Sequence, residues 1–305
     1  MSINHDPILV DAALLQHAER LCLRRVAGDE RSLAALHALA LVYRKQGNLN
    51  GAAAIYARMA QIDPVDPEVR YLNAVFSGSE WPPSPSGIIA APFVLVKDVL
   101  PPADHDSLLP LVASVEDALA PAMVGDHKYV PAIRESLDLP KPLRWDVTRR
   151  FHERLKELLP RLQPRLNVPP FDMDSVEFKV RVYKDGHFFR VHMDSPKKST
   201  CAGRKVSYVY FFHKMPRAYT GGDLVLFDSD IVTNRFSSAS FTRVVPEDNA
   251  LIVFPSAYWH CVVPLRCDSS DFTNNRFVIN GHCTQAEGNE GATEVVVPHQ
   301  STTQG

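Results

Sequence analysis

The stretch Arg181-Val-Tyr183-Lys-Asp-Gly186-His-Phe-Phe-Arg-Val-His192-Met-Asp194 decides how this chain is read. It places an imidazole and a carboxylate two residues apart at the end of an aromatic, strand-like run, just before a Ser195-Pro196 turn. His192 and Asp194 would therefore leave the strand facing a cavity. A third candidate ligand, His260, lies far downstream in Phe254-Pro-Ser-Ala-Tyr-Trp-His260-Cys-Val-Val-Pro264. Two histidines and one carboxylate on one face of a metal leave the other face open, which suits non-haem Fe(II) and its O2 chemistry. His187, His213 and His282 compete for the third position, and an ordinary hydrogen-bonded histidine is the expectation for each. Zinc is the rival metal, since three protein ligands and a water also describe a hydrolytic zinc site.

Arg276, in Asn275-Arg276-Phe-Val-Ile-Asn280, shifts the balance toward iron. A 2-oxoglutarate molecule chelating iron through its C1 carboxylate and keto oxygen would point its C5 carboxylate into the barrel. A buried carboxylate left unpaired is costly, so a bidentate guanidinium on a neighbouring strand is the expected partner. Alternation places Arg276, Val278 and Asn280 on one face of that strand, away from Phe277 and Ile279. Tyr183 is the second candidate for the same carboxylate, through its hydroxyl, with core packing as its competing role.

Outward from these motifs, residues 178–283 read as short β-rich runs: Phe178–Tyr183, Lys205–His213, Asp223–Phe227, Ala250–Phe254, Trp259–Val263 and Arg276–His282. Turn residues separate them, which predicts an antiparallel sandwich or jelly roll. A short strand in Pro92–Leu100 opens this region, and helices are expected over Ala103–Ser114 and Val147–Leu162. Residues 11 to 76 read instead as four short helices, from apolar spacings such as Leu36, Leu39, Ala40, Tyr43 and Ala52, Ile55, Tyr56, Met59. Gly47-Asn48 and Asp63-Pro64 break the runs. The pattern resembles one tetratricopeptide repeat flanked by two half repeats; a generic helical cap on the following domain explains it equally well. The expected layout is a helical domain over 1–76, a Pro/Ser/Gly linker over 77–91, a second domain over 92–286 and a loosely ordered tail over 287–305.

Composition sets the bounds. In 305 residues, 45% apolar and 22% charged, there is room for one large and one small globular domain. A net charge of −2 without a long basic run gives no support to a nucleic-acid or anionic-membrane partner. No apolar stretch is long enough to span a bilayer, and Met1-Ser-Ile-Asn-His-Asp lacks the pattern of a secretory signal. Five cysteines without CxxC spacing argue against a disulfide framework or a zinc knot, so a cytoplasmic location is expected.

The region 92–283 resembles the prolyl 4-hydroxylase-like 2-oxoglutarate/Fe(II) dioxygenases. The family's tyrosine and glycine turn before His-x-Asp is similar to Tyr183-Lys-Asp-Gly186. Arg204-Lys-Val-Ser-Tyr-Val-Tyr210-Phe-Phe resembles its arginine-to-aromatic strand, and Thr220-Gly221-Gly222-Asp-Leu224-Val-Leu-Phe227 its Gly-Gly element. Asn249–Pro264 is similar to its distal-histidine strand, and Arg276 stands in the place of its basic residue. Two features depart from the pattern: the interval from His260 to Arg276 is longer than usual, and Tyr210-Phe-Phe-His213 replaces the strand that often ends Tyr-Leu-Asn.

The resemblance implies an α+β chain: a double-stranded β-helix (jelly-roll) catalytic domain with supporting helices, preceded by a small all-α helical-repeat domain. It implies Fe(II) held by His192, Asp194 and His260, with 2-oxoglutarate and O2 as co-substrates and ascorbate as a reductant. The reaction expected is hydroxylation of an unactivated C–H bond of a prolyl or other amino-acid side chain, in a peptide or protein or free, with release of succinate and CO2. Asp194 favours hydroxylation over halogenation, whose enzymes lose that carboxylate. Arg190, Arg204, Tyr219, Lys197 and Lys198 are expected near the mouth as substrate contacts. The N-terminal helices would bind a protein partner or a second copy. The alternatives are a non-catalytic scaffold with an oxygenase-like barrel, and a zinc-dependent hydrolase.

Overall fold

The computed structural model describes residues 11–78, 81–124, 128–196, 201 and 203–285. The 287–305 tail, Lys197 and Lys198 lie outside the described residues. Four helices come first: α1 (Ala12–Gly28), α2 (Leu33–Gln46), α3 (Leu49–Ile62) and α4 (Pro67–Ser77). Their ends follow from sequence. Ser32, Asn48 and Asp66 each accept a backbone N–H three residues on, and Gly47 and Gly78 close α2 and α4 in the left-handed region. Each helix packs on the next. Leu36, Leu39, Ala52, Tyr56 and Leu72 fill the space between them.

The described residues after α4 supply α5 (Pro102–Asp106), α6 (Leu108–Ala113) and α7 (Lys141–Leu162) among fifteen strands. In chain order the strands are β1 (Val94–Val96), β2 (Ala120–Pro121), β3 (Arg134–Glu135), β4 (Leu137–Asp138), β5 (Met173–Val176), β6 (Lys179–Tyr183), β7 (Phe188–His192) and β8 (Arg204–Phe212). They continue with β9 (Thr220–Gly221), β10 (Leu224–Asp230), β11 (Arg235–Val244), β12 (Ala250–Pro255), β13 (His260–Val262), β14 (Leu265–Arg266) and β15 (Arg276–Gln285). The larger sheet runs β1-β12-β8-β15-β6-β4-β2, with β5 also on β15; the smaller runs β11-β10-β13-β7-β3. All pairings are antiparallel. The result is a jelly roll whose two sheets enclose a cavity.

Side-chain alternation sorts the larger sheet into two faces. Val180, Val182, Tyr210, Phe212, Phe277 and Ile279 pack outward with Phe151, Leu155 and Leu159 of α7, and Phe151 stacks on Tyr210 at 4.7 Å. Tyr183, Ile252, Phe254 and Val278 face inward and share a core with Leu224, Leu226 and Val262 of the smaller sheet. That inner core is continuous with the helices, because α2 lies on β11. Arg44 of α2, 1% exposed, forms a bidentate ion pair with Asp228 of β10, and its Nε donates to Thr242 Oγ1 at 3.0 Å. Among the described residues no helix is long and apolar enough to cross a membrane.

Candidate metal centre

Antiparallel pairing of β7 with β13 sets His192 directly opposite His260, although 68 residues separate them in the chain. Each imidazole is oriented in the same way. His192 Nδ1 lies 2.8 Å from the carbonyl of Arg190, and His260 Nδ1 lies 3.0 Å from that of Tyr258. A carbonyl only accepts, so Nδ1 carries the proton in both and each Nε2 lone pair is left for the centre of the site. Phe189 stacks on the His192 ring at 3.6 Å and Phe254 meets the His260 ring edge-on at 4.9 Å, which fixes both rotamers.

The chain turns after β7 and brings Asp194 between the two imidazoles. His192 Nε2 stands 3.4 Å from Oδ1 and His260 Nε2 stands 3.2 Å from Oδ2. Ligand atoms of all three lie within 4.8 Å of one another. Two neutral imidazole nitrogens and one carboxylate match Fe(II) with positions left open.

A surrounding layer holds the carboxylate. Ser207 Oγ donates to Asp194 Oδ2 at 2.7 Å, Ser256 Oγ is 2.8 Å from Ser207 Oγ, and His282 Nδ1 is 3.1 Å from Ser207 Oγ. Burial opposes charge on Asp194, but His282, His260 and the hydrogen bonds of His192 and His260 outweigh it and hold the carboxyl well below its ordinary range. For His192 burial wins, together with the His260 charge, and its value is pushed down to about 4. His260 is raised, because the Asp194 charge and hydrogen bond overcome burial. Replacing Ser207 with Ala removes a donor that aims this ligand. Metal affinity is expected to fall about 10–100-fold, as for other residues that orient ligands, in a competitive chelator titration.

Arg276 occupies the far end of the same cavity, opposite Tyr183 in the pairing of β15 with β6. It is 1% exposed, its Nε and Nη1 have no hydrogen-bond partner, and its guanidinium lies 4.6 Å from the Tyr183 ring centre and 5.2 Å from that of Phe211. Burial lowers its pKa, and no described carboxylate pairs with it. Buried donors of this kind fit an anion. Gly222 (φ 64°) explains part of the Gly-Gly element, since a Cβ there would fall 2.7 Å from Arg276 Cδ and 2.7 Å from Leu265 Cδ1. Val278 and Asn280 also line the cavity, while Phe277 and Ile279 face outward, in keeping with the strand periodicity. The cavity measures about 380 Å³.

Other expected site residues scatter. Arg204 lines the cavity, held by two bonds to Glu177 (both 2.8 Å), with Nη1 donating to the Asp194 carbonyl at 3.3 Å. Arg190 does not line it: its Nε donates to the Ala132 carbonyl at 2.6 Å and its guanidinium lies 5.5 Å from the Phe188 ring centre. Tyr219 is no rim residue either. Its ring is buried edge-on against His213 at 5.6 Å, with no partner for its hydroxyl, although most of the loop before it is exposed. His187 and His213 stay apart from the three ligands, whereas His282 sits beside Asp194, 3.6 Å from Oδ2. Ser207, Ser256 and His282 carry no local sequence signal; pairing of β8 with β12 and β15 assembles them.

Comparison with known proteins agrees with this geometry. The model of the 2OG-Fe(II) oxygenase superfamily matches residues 178–283. Over 132 residues the chain is 35% identical to an uncharacterised PKHD-type hydroxylase of Synechocystis sp., covering 43% of this chain and 43% of that protein. The chain thus spans under half the length of the curated relative it matches. Among solved structures, a prolyl hydroxylase from Trichoplax adhaerens, in complex with a hypoxia inducible factor oxygen degradation domain peptide fragment, superposes with a TM-score of 0.50 at 16% identity. That match covers 63% of this chain and 83% of the other, and it shows a shared fold.

Proposed function

We infer that this chain, which carries a 2OG-Fe(II) oxygenase domain over residues 178–283, is an Fe(II)- and 2-oxoglutarate-dependent dioxygenase that hydroxylates an unactivated C–H bond. The substrate we propose is a prolyl or other amino-acid side chain, in a peptide or protein or as the free amino acid. One observation carries the reading: two inward-facing Nε2 atoms and a carboxylate share a cavity with a buried guanidinium whose Nε and Nη1 have no partner. Zinc hydrolysis does not require that guanidinium, whereas a dicarboxylate co-substrate does.

His192, Asp194 and His260 would hold the ion. When bound, Fe(II) supplies, with 2-oxoglutarate and O2, the oxidising power for C–H hydroxylation, and succinate and CO2 are the co-products. The chain's own residues bind and exclude. Arg276 would receive the distal carboxylate of 2-oxoglutarate, with Tyr183 packed on its guanidinium. Leu224, Val262 and Val278 form an apolar wall that keeps water from the reacting carbon. The protonated Nδ1 atoms of His192 and His260 stay on backbone carbonyls, which keeps both Nε2 atoms available as ligands.

The test is succinate formation by the purified full chain. It is expected to require both Fe(II) and 2-oxoglutarate, to stop on chelation, and not to return with Zn(II). Turnover of an ester or amide by the zinc-loaded protein, with no succinate under any condition, would end this reading.

A further inference from the structure

Five arginine and lysine side chains line the cavity, and only Arg276 belongs to the co-substrate end. The pairing of β6 with β15 sets Tyr183 against Arg276 and Lys179 against Asn280. Four residues of strand, roughly 13 Å at about 3.3 Å per residue, therefore separate Lys179 from Tyr183. At that remote end Arg134, Lys179 and Arg181 gather around the carboxylate of Asp138, with Glu177 also within electrostatic reach of Lys179.

The partners of these cations are unequal. Arg181, 3% exposed, takes Asp138 in a two-point contact (2.5 and 3.1 Å) and also donates to Asn280 Oδ1 at 3.2 Å. Arg204 takes Glu177. Arg134 and Lys179 have no carboxylate within 4.0 Å among the described residues. Arg134 is 5% exposed, donates through Nε to Ser136 Oγ at 3.1 Å, and has a buried Nη2 with no partner. Its guanidinium lies 4.4 Å from the centre of the Phe189 ring, the ring that stacks on His192. A buried cation with an unused donor, one aromatic ring away from a metal ligand, is a site built for an anion.

We propose that Arg134 and Lys179 anchor a carboxylate of the substrate, so that this oxygenase acts on acids in preference to their neutral analogues. The proposal rests on the oxygenase reading and names the substrate class within it. One guanidinium edge and one ammonium match the two oxygens of a carboxylate. A carboxylate held there lays the adjoining part of the substrate along Phe189, beside His192. The acid could be the α-carboxylate of an amino acid or an acidic side chain of a peptide, and these share one chemistry.

The experiment uses the full chain loaded with Fe(II) and 2-oxoglutarate without O2. Calorimetry measures binding of N-acetyl amino acids, each as free acid and as amide, and of doubly capped prolyl dipeptides with Glu or Gln as the second residue. Acids are expected to bind at least about tenfold more tightly than their neutral pairs. That preference is expected to shrink to about twofold or less in Arg134→Gln and in Lys179→Gln. Selectivity among the N-acetyl pairs assigns an α-carboxylate, and selectivity confined to the dipeptides assigns an acidic side chain. Lys179 is only half-buried, so its variant decides the matter if Arg134→Gln fails to fold. Equal binding of acids and amides, no binding of any acid, or a preference that survives substitution would overturn the anchor. Succinate release by the unaltered protein is followed in parallel. If it is present and acids are not preferred, the anchor alone fails. If it is absent, the oxygenase reading fails while the binding data still judge the anchor.

Discussion

Arg276→Met is expected to weaken 2-oxoglutarate binding at least roughly 30-fold and, at the same time, to raise the melting temperature of the ligand-free protein. Removing one partner of a buried, hydrogen-bonded charge pair costs about 2–5 kcal/mol, and each 1.4 kcal/mol is about tenfold in affinity. Without ligand the sign reverses. Arg276 is then a buried cation against the Tyr183 and Phe211 rings with two donors unused, and an apolar chain of similar length removes that desolvation cost. Arg276→Lys keeps the charge and loses the fork, so its affinity is expected to fall between the two. Calorimetry on the Fe(II) form and a thermal melt of the ligand-free form check both halves. An unchanged dissociation constant would remove Arg276 from the co-substrate site.

The second large effect is on stability. Arg44→Met is expected to destabilise the chain by about 3–5 kcal/mol, the range found when one member of a buried ion pair is deleted. Asp228 would remain buried in β10 with its counter-charge gone, and Thr242 would lose a donor. The double variant Arg44→Met, Asp228→Leu is expected to recover most of the loss, because matched apolar replacements of buried pairs are often near neutral. Denaturant unfolding of the three variants makes the comparison. A loss below about 1 kcal/mol for Arg44→Met would mean that water reaches Asp228 and solvates it.

Local pattern carried most of the fold. The strands ending at Tyr183, Phe212 and Pro255 are dense in β-branched and aromatic residues, and the caps Ser32, Gly47, Asn48 and Asp66 mark the helix ends. The ten-residue β11 has no such signature, because Ser237-Ser-Ala-Ser240 reads as a loop and only pairing with β10 makes it a strand. β5 (Met173–Val176) was equally silent, since its ladder partner is the end of β15. At the site, the spacing of His192, Asp194 and His260 was legible, as was the face of Arg276. The layer around Asp194 was not, because Ser207 of β8, Ser256 in the turn after β12 and His282 of β15 meet only through sheet register. Arg134 and Lys179 stayed hidden for a related reason: nothing in a sequence says which of two cations will find its carboxylate already taken.

The two metal-facing imidazoles take their orientation from the carbonyls of Arg190 and Tyr258. Those acceptors persist whatever side chains stand at positions 190 and 258. Genetic drift at either position therefore leaves the tautomers that face the chamber's centre unchanged.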